Sequence, residues 1–454
     1  MPIDAESDPN LVGSRLTARL AAFVAETPAS KLPAATIESS KQLILDTIGV
    51  ALAAASRPIG KVITQHVKKA GASPAVASVI GGGGVKVATP WAALANGTLA
   101  NALDFDGGHH IPTHMLPAAL AVAEEHGLSG QDLLTAFVLG FEATAKLTHA
   151  VDAQRKNNRG PTQRGWWHVG LIGPVAAAMT VGRLLKLDKD TLATAIGIST
   201  ASSAGFRRSM GTMTKSLHSG NAARGGIDAV QLAQLGFTGD KEIIEGQLGF
   251  MHAMCLADER DAKEIDHLGH PFALEKAPGV KDYPAVTPSH AVIDATLAIR
   301  KRDKISADDV ESVEADFHTF SLLRDEATDE ESAGFCAPFL IAAALIHGAV
   351  GLEQMTEEAI HDPKIKALMK RIKNVPTVGK VDKVVIRLKD KRVLTAEAEA
   401  GRRVTSADVV EKKFRYCAGL VLKPAAVTEL ISLVMSLDKQ PTIGRIMALA
   451  SGRA

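Results

Sequence analysis

Leu43-Ile44-Leu45-Asp46-Thr47-Ile48-Gly49-Val50-Ala51-Leu52 puts Leu43, Ile44, Thr47, Ile48, Ala51 and Leu52 at spacings of three and four, the period of one helix face. The same texture runs from Leu11 to about Leu268. It predicts helices around 11–26, 36–55, 60–70, 91–103, 116–124, 130–149, 169–185, 189–203, 218–235 and 240–246. Alanine and glycine are abundant while aromatics make up 4%, so the helices are expected to pack closely through small side chains. Gly81 to Gly84 lacks the spacing of a phosphate cradle and reads as a plain turn.

Beyond Pro271 the pattern changes. Ser289 is a suitable N-cap ahead of Val292, Ile293 and Leu297, Val310 to Phe317 alternates like a strand, and Ala337 to His347 is helical. Val381 to Leu388 and Arg392 to Ala398 read as two strands joined by the turn Lys389-Asp390-Lys391. Helix returns from Ser406 and includes Ala425 to Ser436. The expected fold is mainly α: a large helical domain over 11–268, completed by 405–454, with a smaller α+β domain inserted over 271–402.

At 454 residues the chain exceeds what one hydrophobic core usually supports, which suits two domains. Lys plus Arg number 51 against 50 Asp plus Glu, so no general pull toward nucleic acid or an anionic membrane is expected and any basic site must be local. Cys255, Cys336 and Cys417 are widely spaced and odd in number, which fits a reducing compartment and small apolar core positions better than disulfides or a thiolate metal cage. Met1 to Asn10 shows no secretory pattern, and apolar runs such as Leu340 to Leu345 are too short to span a bilayer. A cytoplasmic protein is expected.

Four stretches carry chemistry. Asn96 to His114 ends a helical run in a loop crowded with Asp104, Asp106, His109, His110 and His114. The histidines lack a zincin pattern, so acid–base use of an imidazole is preferred to a metal site, against a plainer reading as turn-capping and surface residues. Arg164-Gly165-Trp166-Trp167-His168 sets an imidazole beside two indoles, where a packed, hydrogen-bonded role competes with catalysis. Gly211 to Arg224 is a glycine- and hydroxyl-rich loop running into a helix. Lys215 at that entry opposes the helix dipole unless it meets an anion; His218 follows three residues later. Gly279-Val280-Lys281-Asp282-Tyr283-Pro284 places a cation at the entry to the second domain, where sites often lie, though a solvated linker lysine would look the same.

In this order and layout the stretches resemble the MmgE/PrpD family, from Leu45-Asp46-Thr47-Ile48-Gly49 through Asn96-Gly97 and Asp104-Phe105-Asp106 to Lys412-Lys413-Phe414. Gly211 to Ala223 is the most specific part. The resemblance implies a helical domain built from both chain ends, an α+β lid, a homodimer, and no metal or organic cofactor. It also implies site roles for Asp104, His114, His168, Lys215 and Lys281. Aligned with cis-aconitate decarboxylase, a site threonine falls on Gly108 and a lid tyrosine on Phe339, so two hydroxyl donors are absent. Asp106-Gly107-Gly108 is expected to leave a roomier, less charged loop.

The function expected is that of a lyase or isomerase acting next to a carboxylate of a small polycarboxylate such as 2-methylcitrate or cis-aconitate. Lys215 and Lys281 would dock the carboxylates and stabilise enediolate-like charge, with His218, Gly108 and Phe339 also lining the substrate. His114, oriented by Asp104 or a neighbouring group, would move the proton, and His168 would supply a second acid or a hydrogen bond to the leaving group. Three alternatives stay open: a relative that binds a polycarboxylate without turnover, an epimerase of iminodisuccinate type, and a metal-dependent hydrolase built on His109, His110 and His114.

Overall fold

The computed structural model describes residues 13–151, 160–256, 262–275, 279–316, 324–375, 381–399 and 406–452. Its first half is helical: α1 (Leu16–Glu26), α2 (Ala34–Ala55), α3 (Pro58–Ala70), α4 (Thr89–Ala102), α5 (Pro112–Glu125), α6 (Gly130–Val151), α7 (His168–Leu184), α8 (Lys189–Ser199) and α9 (Met213–Gln234). After α10 (Ser289–Asp303) and α11 (Ala337–His347), the chain closes with α12 (Ala407–Ala418), α13 (Pro424–Met435) and α14 (Gly444–Ala450). The mainly helical fold expected from the sequence is the one adopted.

One apolar core joins residues between Leu16 and Val280 to Val410, Phe414, Leu430, Val434 and Met447 from the last helices. Phe414 lies so close to α2 that a Cβ on Gly49 would stand 2.8 Å from its ring. Gly81 and Gly84 form a turn whose N–H groups donate to Ala450 and Ser451 at 2.8 and 3.0 Å, which ties down α14. A second core, from Ala285 to Leu388, belongs to α10, α11 and a four-stranded sheet. With β1 (Ala77–Ser78) and β2 (Lys86–Val87) forming a small ribbon, that sheet comprises β3 (Val310–Ala315), β4 (Ile372–Asn374), β5 (Val381–Leu388) and β6 (Val393–Glu399), in the order β4-β3-β5-β6. Only β3 and β4 run parallel; Val313 sits between Ile372 and Ile386 on one buried row. Among the described residues no single helix is long and apolar enough to cross a membrane.

Small side chains decide how the helices that build the site approach each other. A Cβ on Gly220 of α9 would stand 2.3 Å from the Leu94 carbonyl oxygen of α4, and one on Gly97 would stand 2.9 Å from the Gly220 Cα. Backbones therefore touch at this crossing, which only glycine permits. Because the two helices are antiparallel, the C-terminal end of α4 is delivered beside the first turn of α9.

Three local expectations are corrected. Residues 240–246 form turns rather than a helix: Asp240 accepts from the Glu242 N–H, and the Glu245 carboxylate is drawn away to the Thr17 N–H and hydroxyl at the start of α1. Ser289 is the first residue of α10, not its cap, because the turn Val286–Ser289 already enters helical geometry at Pro288. Helix α9 begins at Met213 rather than 218, so Lys215 occupies its first turn. Phe317 lies outside the described residues.

Candidate active site

Asp104 follows α4 in a left-handed conformation (φ 47°) and is buried. The Lys215 ammonium donates to its Oδ1 at 2.6 Å and to the Asn101 carbonyl at 3.2 Å. Ser216, beside it on α9, donates to the same carbonyl at 3.0 Å. Lys281 arrives from the segment that enters the second domain, where Gly108 N–H donates to the Gly279 carbonyl at 3.3 Å. Its ammonium donates to Asp104 Oδ2 at 2.5 Å, to the Asp104 carbonyl at 2.8 Å and to the Ala285 carbonyl at 3.2 Å. An ammonium has three N–H groups. Among the described residues Lys281 has thus spent all three donors, whereas Lys215 keeps one without an acceptor.

Burial alone would raise the Asp104 carboxyl, but Lys215 and Lys281, helped by His110, hold it well below the usual carboxylate range. Asp106 behaves alike: burial pushes it up, and His110 followed by the two lysines brings it below its ordinary value. Burial depresses the Lys281 ammonium more than Asp104 and Asp106 raise it. Two ammonium groups face two carboxylates, so the cluster carries no large surplus of positive charge.

The histidines are arranged around this pair of aspartates. His110 Nδ1 lies 2.6 Å from Asp106 Oδ2, and its Nε2 lies 3.7 Å from Asp104 Oδ1. Its ring stands 5.7 Å from Trp167 and 6.2 Å from His168, the first residue of α7. His114 is buried on α5 against α7, where a Cβ on Gly173 would come within 3.3 Å of its ring, and neither of its nitrogens has a partner among the described residues. Burial, then His110, lowers it to about 3. It is neutral at neutral pH and holds a proton only weakly. His218 lies one turn beyond Lys215, with Nε2 at 3.2 Å from the Ser209 hydroxyl; burial lowers it too. His109 is exposed. Among the described residues no group of three or more His, Cys, Asp or Glu side chains is placed to hold a metal ion.

Two predicted substrate contacts sit differently from their neighbours. Phe339 is fully buried in the second core, while Phe335, in the turn before α11, has its ring centre 5.9 Å from the Lys215 ammonium and shares a crevice with Asp104. Gly108 does adjoin the site, but the loop is not roomier. At φ 63° a Cβ on Gly108 would lie 3.0 Å from the Pro112 ring, and one on Gly107 would lie 3.0 Å from the Gly279 carbonyl oxygen. The glycines are there because the loop is pressed between α2, α5 and the Lys281 segment.

Sequence reasoning left Asp46 and Lys413 unassigned, though both stand in the quoted family stretches. Lys413 of α12 lies 2.7 Å from Asp46 of α2, donates to the Phe105 carbonyl at 2.5 Å, and sits 4.0 Å above the Phe105 ring. Asp46 in turn accepts from the Gly107 N–H at 2.8 Å. Both ends of the chain thereby clamp the loop that carries Asp104 and Asp106. The crevice beside Asp104, lined also by Arg57, Pro284, Glu330 and Phe335, has about 30 Å³ of room, enough for water but not for a tricarboxylate. Arg57 Nη1 lies 3.5 Å from Glu330 across it.

The site's protonation has a measurable signature. His290, packed on Tyr283 and lowered to about 3 by burial and then by Lys281, joins His114 in resisting protonation. As the pH falls from the ordinary value of 6.5 toward 3, the unfolded chain takes up protons that these two native imidazoles refuse. Stability is therefore expected to drop by up to about 1.4 kcal/mol per pH unit for each. Asp104 adds to the loss further down, because a depressed carboxyl contributes stability that is present above the usual carboxylate range and disappears as the pH falls through its folded value. Urea midpoints at about pH 7.5 and about pH 5 check this. His114→Gln should narrow the difference between them, and an unchanged difference would take His114 out of the account.

Comparison with known proteins completes the description. Residues 18–263 match the MmgE/PrpD N-terminal domain, and residues 283–439 match the MmgE/PrpD C-terminal domain. The chain is 27% identical over 429 residues to cis-aconitate decarboxylase of Mus musculus, covering 88% of this chain and 86% of that protein. It is 26% identical over 442 residues to the Homo sapiens cis-aconitate decarboxylase, with 92% and 90% covered. For the cis-aconitate decarboxylase of Aspergillus terreus (strain NIH 2624 / FGSC A1156) the identity is 25% over 484 residues, with 96% of each chain covered.

Proposed function

The chain belongs to the MmgE/PrpD family, and from that premise we propose that it is a lyase acting next to a carboxylate of a small polycarboxylate, with cis-aconitate the first acid to test. The observation that carries the proposal is the buried Asp104 carboxylate gripped by Lys215 and Lys281, with His110 beside it and His168 and the neutral His114 nearby. Such a cluster is suited to holding an anion and moving a proton in a water-poor place.

In this reading the unspent N–H of Lys215 meets a substrate carboxylate, and its charge stabilises the electron pair left when a neighbouring carbon loses carbon dioxide or a proton. In decarboxylation the C–C bond breaks, carbon dioxide leaves, the pair stays as enediolate-like density, and a proton returns to carbon from an imidazole. In dehydration a base takes a proton from carbon while an acid protonates the departing hydroxyl. His114 serves as base and His168 as acid. Lys281 keeps Asp104 in place and contributes charge. The second domain has to move for an acid to enter, since the crevice has room only for water.

Proton NMR of the protein in deuterated buffer with cis-aconitate, 2-methylcitrate, citrate and iminodisuccinate, alongside Lys215→Ala, tests the proposal. Product formation or deuterium incorporation that is lost in the variant supports a lyase or isomerase and identifies its acid. Binding of an acid without turnover would replace the enzyme reading with that of a binding protein.

A further inference from the structure

We propose that Trp167 is a substrate-binding residue whose indole N–H donates to an oxygen of the bound carboxylic acid; the inference rests on the function proposed above. Trp167 is buried, and its Nε1 has no hydrogen-bond partner among the described residues. Tryptophan usually finds an acceptor when buried, and an unmade bond of this kind costs free energy. The indole nitrogen only donates, so what is missing is an acceptor.

The surroundings of the ring define where that acceptor comes from. On one side are His168, at 4.3 Å between ring centroids, and His110, at 5.7 Å, the latter bonded to Asp106. On the other side Trp167 packs with Met210, Val286 and Phe335; Phe335 lies next to the Lys215 ammonium and lines the crevice with Asp104. Three of these neighbours, His168, His110 and Phe335, thus belong to the site or its wall.

Local structure explains why this tryptophan and not its neighbour faces inward. Trp166 pairs with Phe206 in an isolated bridge and stacks on its ring at 5.2 Å, while the Trp167 backbone N–H donates to the Gly205 carbonyl at 3.0 Å. Consecutive extended residues point to opposite sides. Trp167 is also the residue that caps the start of α7, so the positive end of that helix dipole begins at the same place and favours a negatively charged acceptor. His114, whose nitrogens likewise have no partner among the described residues, packs against Gly173 on the same helix.

The test uses the full chain labelled with ¹⁵N at its three tryptophans, Trp91, Trp166 and Trp167, whose indole signals are assigned with Trp167→Phe. Cis-aconitate, 2-methylcitrate, citrate and iminodisuccinate are titrated, with heats of binding recorded in parallel. The expected result is a downfield movement of the Trp167 signal, larger than those of Trp91 and Trp166, as an acid binds. Trp167→Phe should bind that acid about 10- to 100-fold more weakly at an unchanged thermal midpoint. Binding that leaves the Trp167 signal in place, or equal affinity of Trp167→Phe, overturns the proposal. So does a signal already downfield without acid and unmoved by it, because a buried water then holds the proton. Absence of heat and of shifts with all four acids strikes at the proposed function itself and removes this inference with it.

Discussion

Lys215→Met is expected to lower turnover of the cognate acid by about 10²- to 10³-fold, the loss that accompanies removal of one preorganised donor from a developing negative charge. The side chain sits in the first turn of α9, where a cation opposes the helix dipole, and it is buried with Asp104 at 2.6 Å. A buried ammonium with one N–H still unspent is a costly thing to maintain for structure alone. Methionine keeps the length and removes the charge, and breaking the buried pair should also cost about 3–5 kcal/mol of stability, so rates must be referred to folded protein. Lys281→Met provides the contrast. All three of its N–H groups go to Asp104 and Ala285, so its loss should act by displacing Asp104, with a large stability cost and a smaller change in affinity for the acid. NMR rates and titration heats on both variants check the pair. Turnover within a factor of about three of wild type in Lys215→Met would sink the proposed role, because that is far below the loss of a single such donor.

What was legible in the sequence had local causes. Helix periodicity in Leu43 to Leu52 follows from one buried stripe, and Lys215 stood out because a lysine at a helix entry needs an anionic partner. The partner was not legible: the resemblance named Asp104 as a site residue that orients His114, and the anion expected for Lys215 was the substrate, because Asp104 lies 111 residues away and meets Lys215 through the Gly97–Gly220 crossing. The clamp of Asp46 and Lys413 was invisible for the same reason: 308 residues separate Lys413 from the carbonyl it holds. Gly108 misled because a missing side chain suggests open space, whereas a left-handed backbone set tightly against Pro112 strains any side chain placed there. Phe335 precedes α11 in a turn and Phe339 lies inside it, a helix start that periodicity cannot set where α11 is apolar all round.

Asp104→Ala should be the most damaging single change to the fold at this site. It leaves two buried ammonium groups facing each other without their carboxylate, for an expected loss of about 3–5 kcal/mol. Burial already depresses Lys281, and without Asp104 its tendency to shed a proton increases. A lysine whose folded value lies below its unfolded one makes the native state bind fewer protons than the unfolded chain, so the variant's stability should rise with pH in the alkaline range. Wild type should show a smaller rise, because Asp104 offsets part of the burial of Lys281. The vacated space also makes a distinctive prediction. Formate presents the same carboxylate that alanine removes, and at about 100 times its dissociation constant it would return roughly 2.7 kcal/mol to the variant and nothing to wild type. Thermal midpoints of both proteins with and without formate measure this directly. Cis-aconitate in the same assay separates two modes of docking: stronger stabilisation of the variant than of wild type means that a substrate carboxylate takes the place of Asp104 between the lysines. Equal stabilisation means that the acid binds beside an intact Asp104, through the remaining N–H of Lys215. A variant as stable as wild type and indifferent to formate would show that Asp104 does not hold the two lysines in the folded protein, and the account of the site built on that grip would fall.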